Sequence, residues 1–239
     1  MTEPSYGVAD HYLGSKGEVY FAWQSAGGDF AGRINSHKFS HLIRPPDTVL
    51  DFGCCGGGFL LRNLDCARRM GVEINPVARE FASRNGIECY ATINKVPDGS
   101  ADIVVSDHAL EHVPFPISAL QGLKAKIRGG GLLAVCVPHN TYWEDRRYDP
   151  NDQNHHLHSW TCQTFGNTLV EAGYEIISIN NRTHAWPGRW TVACYGRLPL
   201  RLFDWICISY GLMTGKGQQV IAVARPLRSS CPVEGTVHS

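Results

Sequence analysis

The chain has 239 residues, 43% of them apolar, which is enough for one sizeable α/β domain with a buried core. Its 22 basic and 22 acidic side chains cancel, which argues against the basic stripe of a nucleic-acid-binding surface. Nine cysteines without a C-x-x-C pair, mostly inside apolar runs as at Cys136, Cys194 and Cys207, read as reduced thiols rather than a disulfide framework.

The opening M-T-E-P-S-Y-G-V-A-D lacks the basic-then-apolar pattern of a signal peptide, so a cytoplasmic protein is expected. Residues 1–45 are mixed, aromatic and glycine-containing, and read as a cap of short helices ended by Pro45-Pro46. Tyr12, Tyr20 and Trp23 are candidates for a lid, with Trp23 better suited to packing the helices. A βα rhythm then begins. T-V-L-D-F is a first strand, followed by a glycine run and a helix at L-L-R-N-L; M-G-V-E-I is a second, with Asn75-Pro76 opening a helix through Ser83. I-E-C-Y and A-D-I-V-V-S are the third and fourth. A helix over Ile117–Ile127 should stop at Gly129-Gly130-Gly131, before a fifth strand G-L-L-A-V-C-V ended by Pro138. Asn140–Ser159 reads as a long polar, histidine-rich loop, Thr161–Ala172 as a helix, and Tyr174–Asn180 and Gln218–Ala224 as the last two strands. An insert at 185–217 precedes the last strand. Its apolar stretch Leu198–Met213 contains Arg201 and Asp204 and is too short for a bilayer, so an amphipathic helix is expected and no membrane span. Residues 46–228 form the main domain and 229–239 a flexible tail. Strands alternating with helices predict a doubly wound, Rossmann-like α/β fold with a mostly parallel sheet.

The sharpest motif is V-L-D-F-G-C-C-G-G-G-F, residues 49–59, placed between a strand and a helix. Such a turn lets a ligand approach the backbone and meet the helix N-terminus. Glu73, ending the second strand, is placed to accept hydrogen bonds from both hydroxyls of a ribose. A nicotinamide turn is the competing reading, but the fingerprint G-x-G-x-x-G is broken at Cys55.

Taken together, these segments resemble the class I S-adenosylmethionine (SAM)-dependent methyltransferases, over roughly residues 45–182 plus the last strand. V-P-D-G-S-A-D-I-V-V-S-D-H-A-L-E-H-V, residues 96–113, looks like the fourth-strand segment of methyltransferases of the ubiquinone-biosynthesis type. L-K-A-K-I-R-G-G-G-L-L-A-V and H-L-H-S-W-T through L-V-E-A-G-Y-E-I resemble their fifth- and sixth-strand entries. The resemblance implies a seven-stranded sheet with an antiparallel last strand and SAM as cofactor. It implies that Asp51, Gly53 and Gly57 hold the methionine part, with Cys55 in place of the usual middle glycine. Glu73 then holds the ribose, Ile74 lies against adenine, and Thr92 and Asp107 complete the cofactor contacts.

The acceptor is less legible. His108-Ala109-Leu110-Glu111-His112 spells H-x-x-E-H, a zinc-peptidase signature in form, but that chemistry needs a long helix and a third ligand downstream. Here it starts at a strand end, so no metal is assigned; Asp107 and His108 are expected to line the cofactor pocket and Glu111-His112 to order the segment. Asp149, Asp152, His155, His156 and His158 form a second cluster, readable as a divalent-metal site or as polar loop residues satisfying one another. His156 or His155 is the candidate general base, since imidazole titrates near neutral pH. His139, Tyr142, Arg146 and Arg147 are candidate acceptor contacts, the arginines suiting a phosphate, carboxylate or sugar. The expected function is methyl transfer to a small-molecule acceptor, most simply a hydroxyl of a sugar, glycan precursor or secondary metabolite. The alternatives are an NAD(P)-dependent oxidoreductase and a catalytically inactive SAM-binding module.

Overall fold

The computed structural model describes residues 10–54, 58–141, 148–150, 152–188 and 197–227. Cys55, Gly57, Tyr142, Arg146 and Arg147 lie outside them.

Seven strands form one sheet in the order β3-β2-β1-β4-β5-β7-β6. They are β1 (Thr48–Phe52), β2 (Arg68–Val72), β3 (Glu88–Tyr90), β4 (Ala101–Asp107), β5 (Ile127–Pro138), β6 (Tyr174–Thr183) and β7 (Gln218–Pro226). β1 to β5 are mutually parallel. β7 runs antiparallel to both β5 and β6. The strand order reverses between β1 and β4, and the carboxyl ends of the strands on either side of such a switch are where open α/β sheets bind ligands.

Among the described residues the longer helices are α1 (Gly14–Ser25), α2 (Gly28–Ser36), α3 (Pro76–Arg84), α4 (Pro116–Lys126), α5 (Cys162–Glu171) and α6 (Leu200–Thr214). Asn75 caps α3, its Oδ1 accepting from Val77 N at 3.0 Å, and Pro76 sits in the first turn where no intrahelical N–H is needed. Thr161 caps α5 in a reciprocal pair with Thr164. Continuous apolar runs bury the central strands on both faces. Leu50, Val104, Leu133 and Val135 pack with Leu120, Leu123 and Phe165 on one side. Val49, Val105, Ala134 and Cys136 pack with Phe39 and Leu61 on the other. α6 buries Phe203 and Cys207 against Ile34 and Phe30. Its other face shows Trp205, Leu212 and Met213 to solvent. No helix among the described residues is long and apolar enough to cross a membrane.

Three expectations are corrected. The triple glycine does not separate α4 from β5: the strand starts at Ile127 and runs through it, with Gly130 at φ 84° and Ala101 paired to Ile127. L-L-R-N-L is a 3-10 turn over Leu61–Asn63 rather than a helix. The Arg69 side chain takes the carbonyls of Leu61 and Leu64 at 2.9 and 2.8 Å, which holds the segment open next to β2. Trp23 is not buried between the helices; it is 49% exposed, with its ring 5.9 Å from that of Tyr20.

Candidate functional site

Three carboxylates converge at the carboxyl ends of neighbouring parallel strands. Asp51 is on β1, Glu73 directly follows β2, and Asp107 ends β4. Register puts Asp51 beside Gly71 and Val105, so the three ends lie level. Gly53 turns the chain out of β1 with φ 75°, and the amides of Gly53 and Cys54 both donate to Val72 O, at 3.0 and 3.1 Å. A side chain at Gly53 would collide with the Ala109 methyl, so both the left-handed backbone and the close approach require glycine.

Glu73 and Asp51 are almost fully buried. Glu73 Oε1 accepts from Asn75 N at 2.8 Å. Asn75 Nδ2 in turn donates to Gly17 O at 2.7 Å, which ties α1 to the acidic pocket. Burial first, and then the charges of Asp107 and Glu73, push the Asp51 carboxyl well above its ordinary value. Asp107 is held differently. Lys38, buried between α2 and β1, donates to Asp107 Oδ1 at 2.7 Å and lies 3.5 Å from Cys136 Sγ. Burial works against the Lys38 ammonium, but the charges of Asp107 and Cys136 prevail and the pKa of Lys38 is raised. Lys38 was invisible in the sequence, standing alone in S-H-K-F-S with no periodic or motif context. Ile74 is half-buried beside the pocket, and Thr92 is exposed just beyond β3.

A second group sits over the ends of β4 and β5. The register pairs Asp107 with Cys136, so the segments leaving these strands lie side by side. His108 has a left-handed backbone (φ 53°) and donates its amide to Cys136 O at 2.9 Å. Its Nδ1 is 3.1 Å from Glu111 Oε1 and its Nε2 3.7 Å from Cys136 Sγ. Burial opposes charge on His108, yet Cys136 and Glu111 raise its pKa well above the ordinary imidazole value. Glu111 has no exposed surface. Burial resists its ionisation too, but the hydrogen bond and charge of His108 bring its pKa below the ordinary value. The backbone carbonyl of Glu111 accepts from Leu157 N at 2.8 Å and His158 N at 3.1 Å.

The two histidine clusters of the sequence are therefore one site. The rings of His112 and His156 are 5.1 Å apart. Asp152 turns the loop by accepting from Asn154 N and His155 N at 3.0 and 2.8 Å. His155 (φ 52°) stacks on His11 with centroids 4.9 Å apart. Tyr12 places its hydroxyl 2.8 Å from His112 Nδ1 and donates to Asn154 O at 3.3 Å. The segment leading into α1 thus folds over the histidine loop. His139 is buried one step along: its Nδ1 accepts from Thr141 N at 3.3 Å, and its amide donates to Gln218 O at 3.1 Å. A separate groove of about 650 Å³, lined by Lys124, Arg128, Glu175 and Arg225 among others, opens where β5 and β6 begin, at the far end from this chemistry.

The chain is similar to known proteins at two levels. The family described as "Methyltransferase domain" matches residues 31–179. Ribosomal protein L11 methyltransferase of Cupriavidus taiwanensis is 34% identical over 100 residues, 39% of this chain and 33% of that protein. The chain thus spans about a third of the length of the curated relatives it matches. Among solved structures, a chain in complex with the Trm112 methyltransferase activator of Haloferax volcanii superposes with a TM-score of 0.68 at 16% identity, covering 94% of this chain and 100% of the other. A SAM-dependent methyltransferase of Archaeoglobus fulgidus gives 0.60 at 16% identity, covering 86% and 98%. At such identities these structures carry the fold alone. The small-molecule acceptor expected from the sequence is corrected by the curated relatives, whose name gives a ribosomal protein as what they methylate. That expectation rested on the polar His/Asp/Arg loop, and such a loop does not distinguish a free small molecule from a segment of a protein.

Proposed function

The chain belongs to the class I SAM-dependent methyltransferase family, and from that premise we propose that it carries the methyl group of SAM to an acceptor borne on a protein. The observation that supports the donor side best is the convergence of Asp51, Glu73 and Asp107 at the switch point of the sheet. SAM supplies an electrophilic methyl on a sulfonium and carries an ammonium, so it is a cationic ligand. Carboxylates that repel one another, with a single lysine against Asp107, suit such a cation. The anionic pyrophosphate of a nicotinamide cofactor does not suit them.

In this reading Asp51 and the turn at Gly53 hold the methionine end, Glu73 accepts from the ribose hydroxyls, and Ile74 lies against the adenine. Asn75 fixes the Glu73 carboxylate through its backbone amide. Displacement at a methyl carbon needs the acceptor atom, carbon and sulfur in line, so alignment supplies much of the rate. The histidine loop and Tyr12 stand over the strand ends where an acceptor approaches, and they limit its path and its water. The protein acceptor is supported by the name of the relatives.

Calorimetry with SAM and S-adenosylhomocysteine tests the donor. Glu73→Gln keeps an acceptor for Asn75 N while removing the charge, and is expected to weaken SAM binding roughly 10–100-fold with an unchanged melt. Unchanged affinity would remove Glu73 from the ribose. Incubation with methyl-labelled SAM and ribosomal protein L11 tests the acceptor, with label on that protein the expected result. SAM binding without label on the protein would overturn the acceptor and leave the donor standing.

A further inference from the structure

Among the described residues, two groups of side chains gather closely enough to share a metal ion: Asp107–His108–Cys136 and Glu111–His112–His156. The first already holds a cation, since the Lys38 ammonium lies 2.7 Å from Asp107 and 3.5 Å from Cys136. We infer that the second is a binding site for a divalent transition-metal ion of the zinc class, with Glu111, His112 and His156 as ligands.

Four observations carry this assignment. Glu111 Oε2 is fully buried and has no hydrogen-bond partner among the described residues, while Oε1 is engaged by His108. A buried carboxylate oxygen without a partner costs free energy that a metal ion removes. One ligand atom from each residue lies within 4.8 Å of the others. Tetrahedral ligands about 2.0–2.1 Å from zinc stand about 3.3 Å apart, so closure needs only rotamer-scale movement.

The outer partners set the His112 tautomer. Its Nδ1 faces the carbonyl of His155 at 3.4 Å and the hydroxyl of Tyr12 at 2.8 Å, and that hydroxyl donates onward to Asn154 O. A carbonyl can only accept, so Nδ1 carries the proton and Nε2 keeps its lone pair for a metal. Finally, two imidazoles and one carboxylate are a borderline-hard set that suits zinc and its neighbours. Three protein ligands leave a coordination position for water or for an oxygen or nitrogen of another molecule.

From the sequence, zinc was set aside for H-x-x-E-H because that chemistry needs a long helix and a third ligand downstream, whereas the motif starts at a strand end. The downstream ligand is present: His156, brought back by the hydrogen bonds from Leu157 and His158 to the Glu111 carbonyl. The pair at its other end is not His108 with His112 across a helix, because Leu110–His112 is a 3-10 turn and His108 faces Cys136. His156, expected as a general base, is a ligand in this arrangement.

The test uses untagged full-length protein stripped with a chelator. Titration with Co(II), then Zn(II), is expected to show one equivalent bound, with the visible absorption of low-coordinate cobalt that zinc abolishes, and a zinc-dependent rise in melting temperature. His156→Ala is expected to fold, to lose that rise, and to bind more than the roughly 10–100-fold weaker that loss of an outer partner costs. Tyr12→Phe, which removes only the outer partner, is expected to fall within that range. Cys136→Ser is expected to bind as the wild type. No stoichiometric metal on the stripped protein, full binding by His156→Ala, or loss of binding in Cys136→Ser would each overturn the site. None of these readouts depends on the methyl acceptor.

Discussion

Asp51 and Asp107 show how the same residue type is handled in two ways on adjacent strands. Asp107 is paired with a buried lysine, whereas burial, and then the charges of two other carboxylates, drive the pKa of Asp51 up. A carboxyl whose folded-state pKa is raised stabilises the fold only while protonated. That contribution is complete below the ordinary carboxylate range and is lost as pH rises through the raised value. The ligand-free protein therefore carries a cost at neutral pH that a cationic ligand relieves. Asp51→Asn is expected to raise the melting temperature without ligand at pH 7 and to weaken SAM binding. Binding is also expected to weaken as pH falls through the raised Asp51 value, with proton release seen by calorimetry in buffers of different ionisation enthalpy. A lowered melting temperature together with pH-independent affinity would contradict this. Asp51 and Glu73 were legible because they stand at strand ends around a glycine turn. Lys38 was not, because its meaning comes from a partner across the sheet.

At the scale of elements, the site depends on how the N-terminal segment and the loop after β5 are fastened. α1 is pinned at Gly17, whose carbonyl takes Asn75 Nδ2 and whose Cα packs on the carbonyl of Tyr12, leaving no room for a methyl group. Gly14, a turn earlier, has open space but φ 56°. Gly17→Ala is expected to cost about 1–3 kcal/mol, the range for overpacking a tight contact. Gly14→Ala is expected to cost about 1–2 kcal/mol, the left-handed penalty alone. Thermal melts give the order, and amide exchange over residues 10–25 should quicken only in Gly17→Ala. Equal effects would mean that the segment is not held at Gly17. The helices and strands themselves were readable from apolar runs, prolines and glycines. What escaped was the merging of His108–His112 with His155–His158. Each cluster sat on its own segment, and only the adjacency of β4 and β5 puts them together. The glycines at 129–131 misled because glycine usually punctuates, yet here the strand simply runs through them.

For the whole molecule, protection should follow the strand order. β1, β4, β5 and β7 are flanked on both edges and packed on both faces, whereas β3 and β6 are the edges. Amide exchange is expected to be slowest in β4 and β5 and fastest among the strands in β3. Slower exchange in β3 than in β4 would mean that the sheet does not open from its edges.

The strand order also has a consequence for the timing of synthesis. β7 is made after β6, yet it lies between β5 and β6. On the ribosome the chain can complete β1 to β5, and with them the pocket of Asp51, Glu73 and Asp107, while β6 waits without a neighbour. The free edge of β5 stays open to mispairing until residues 218–226 emerge and close it. The donor half of the protein can thus be shaped before β7 is made, whereas the closure of the sheet cannot.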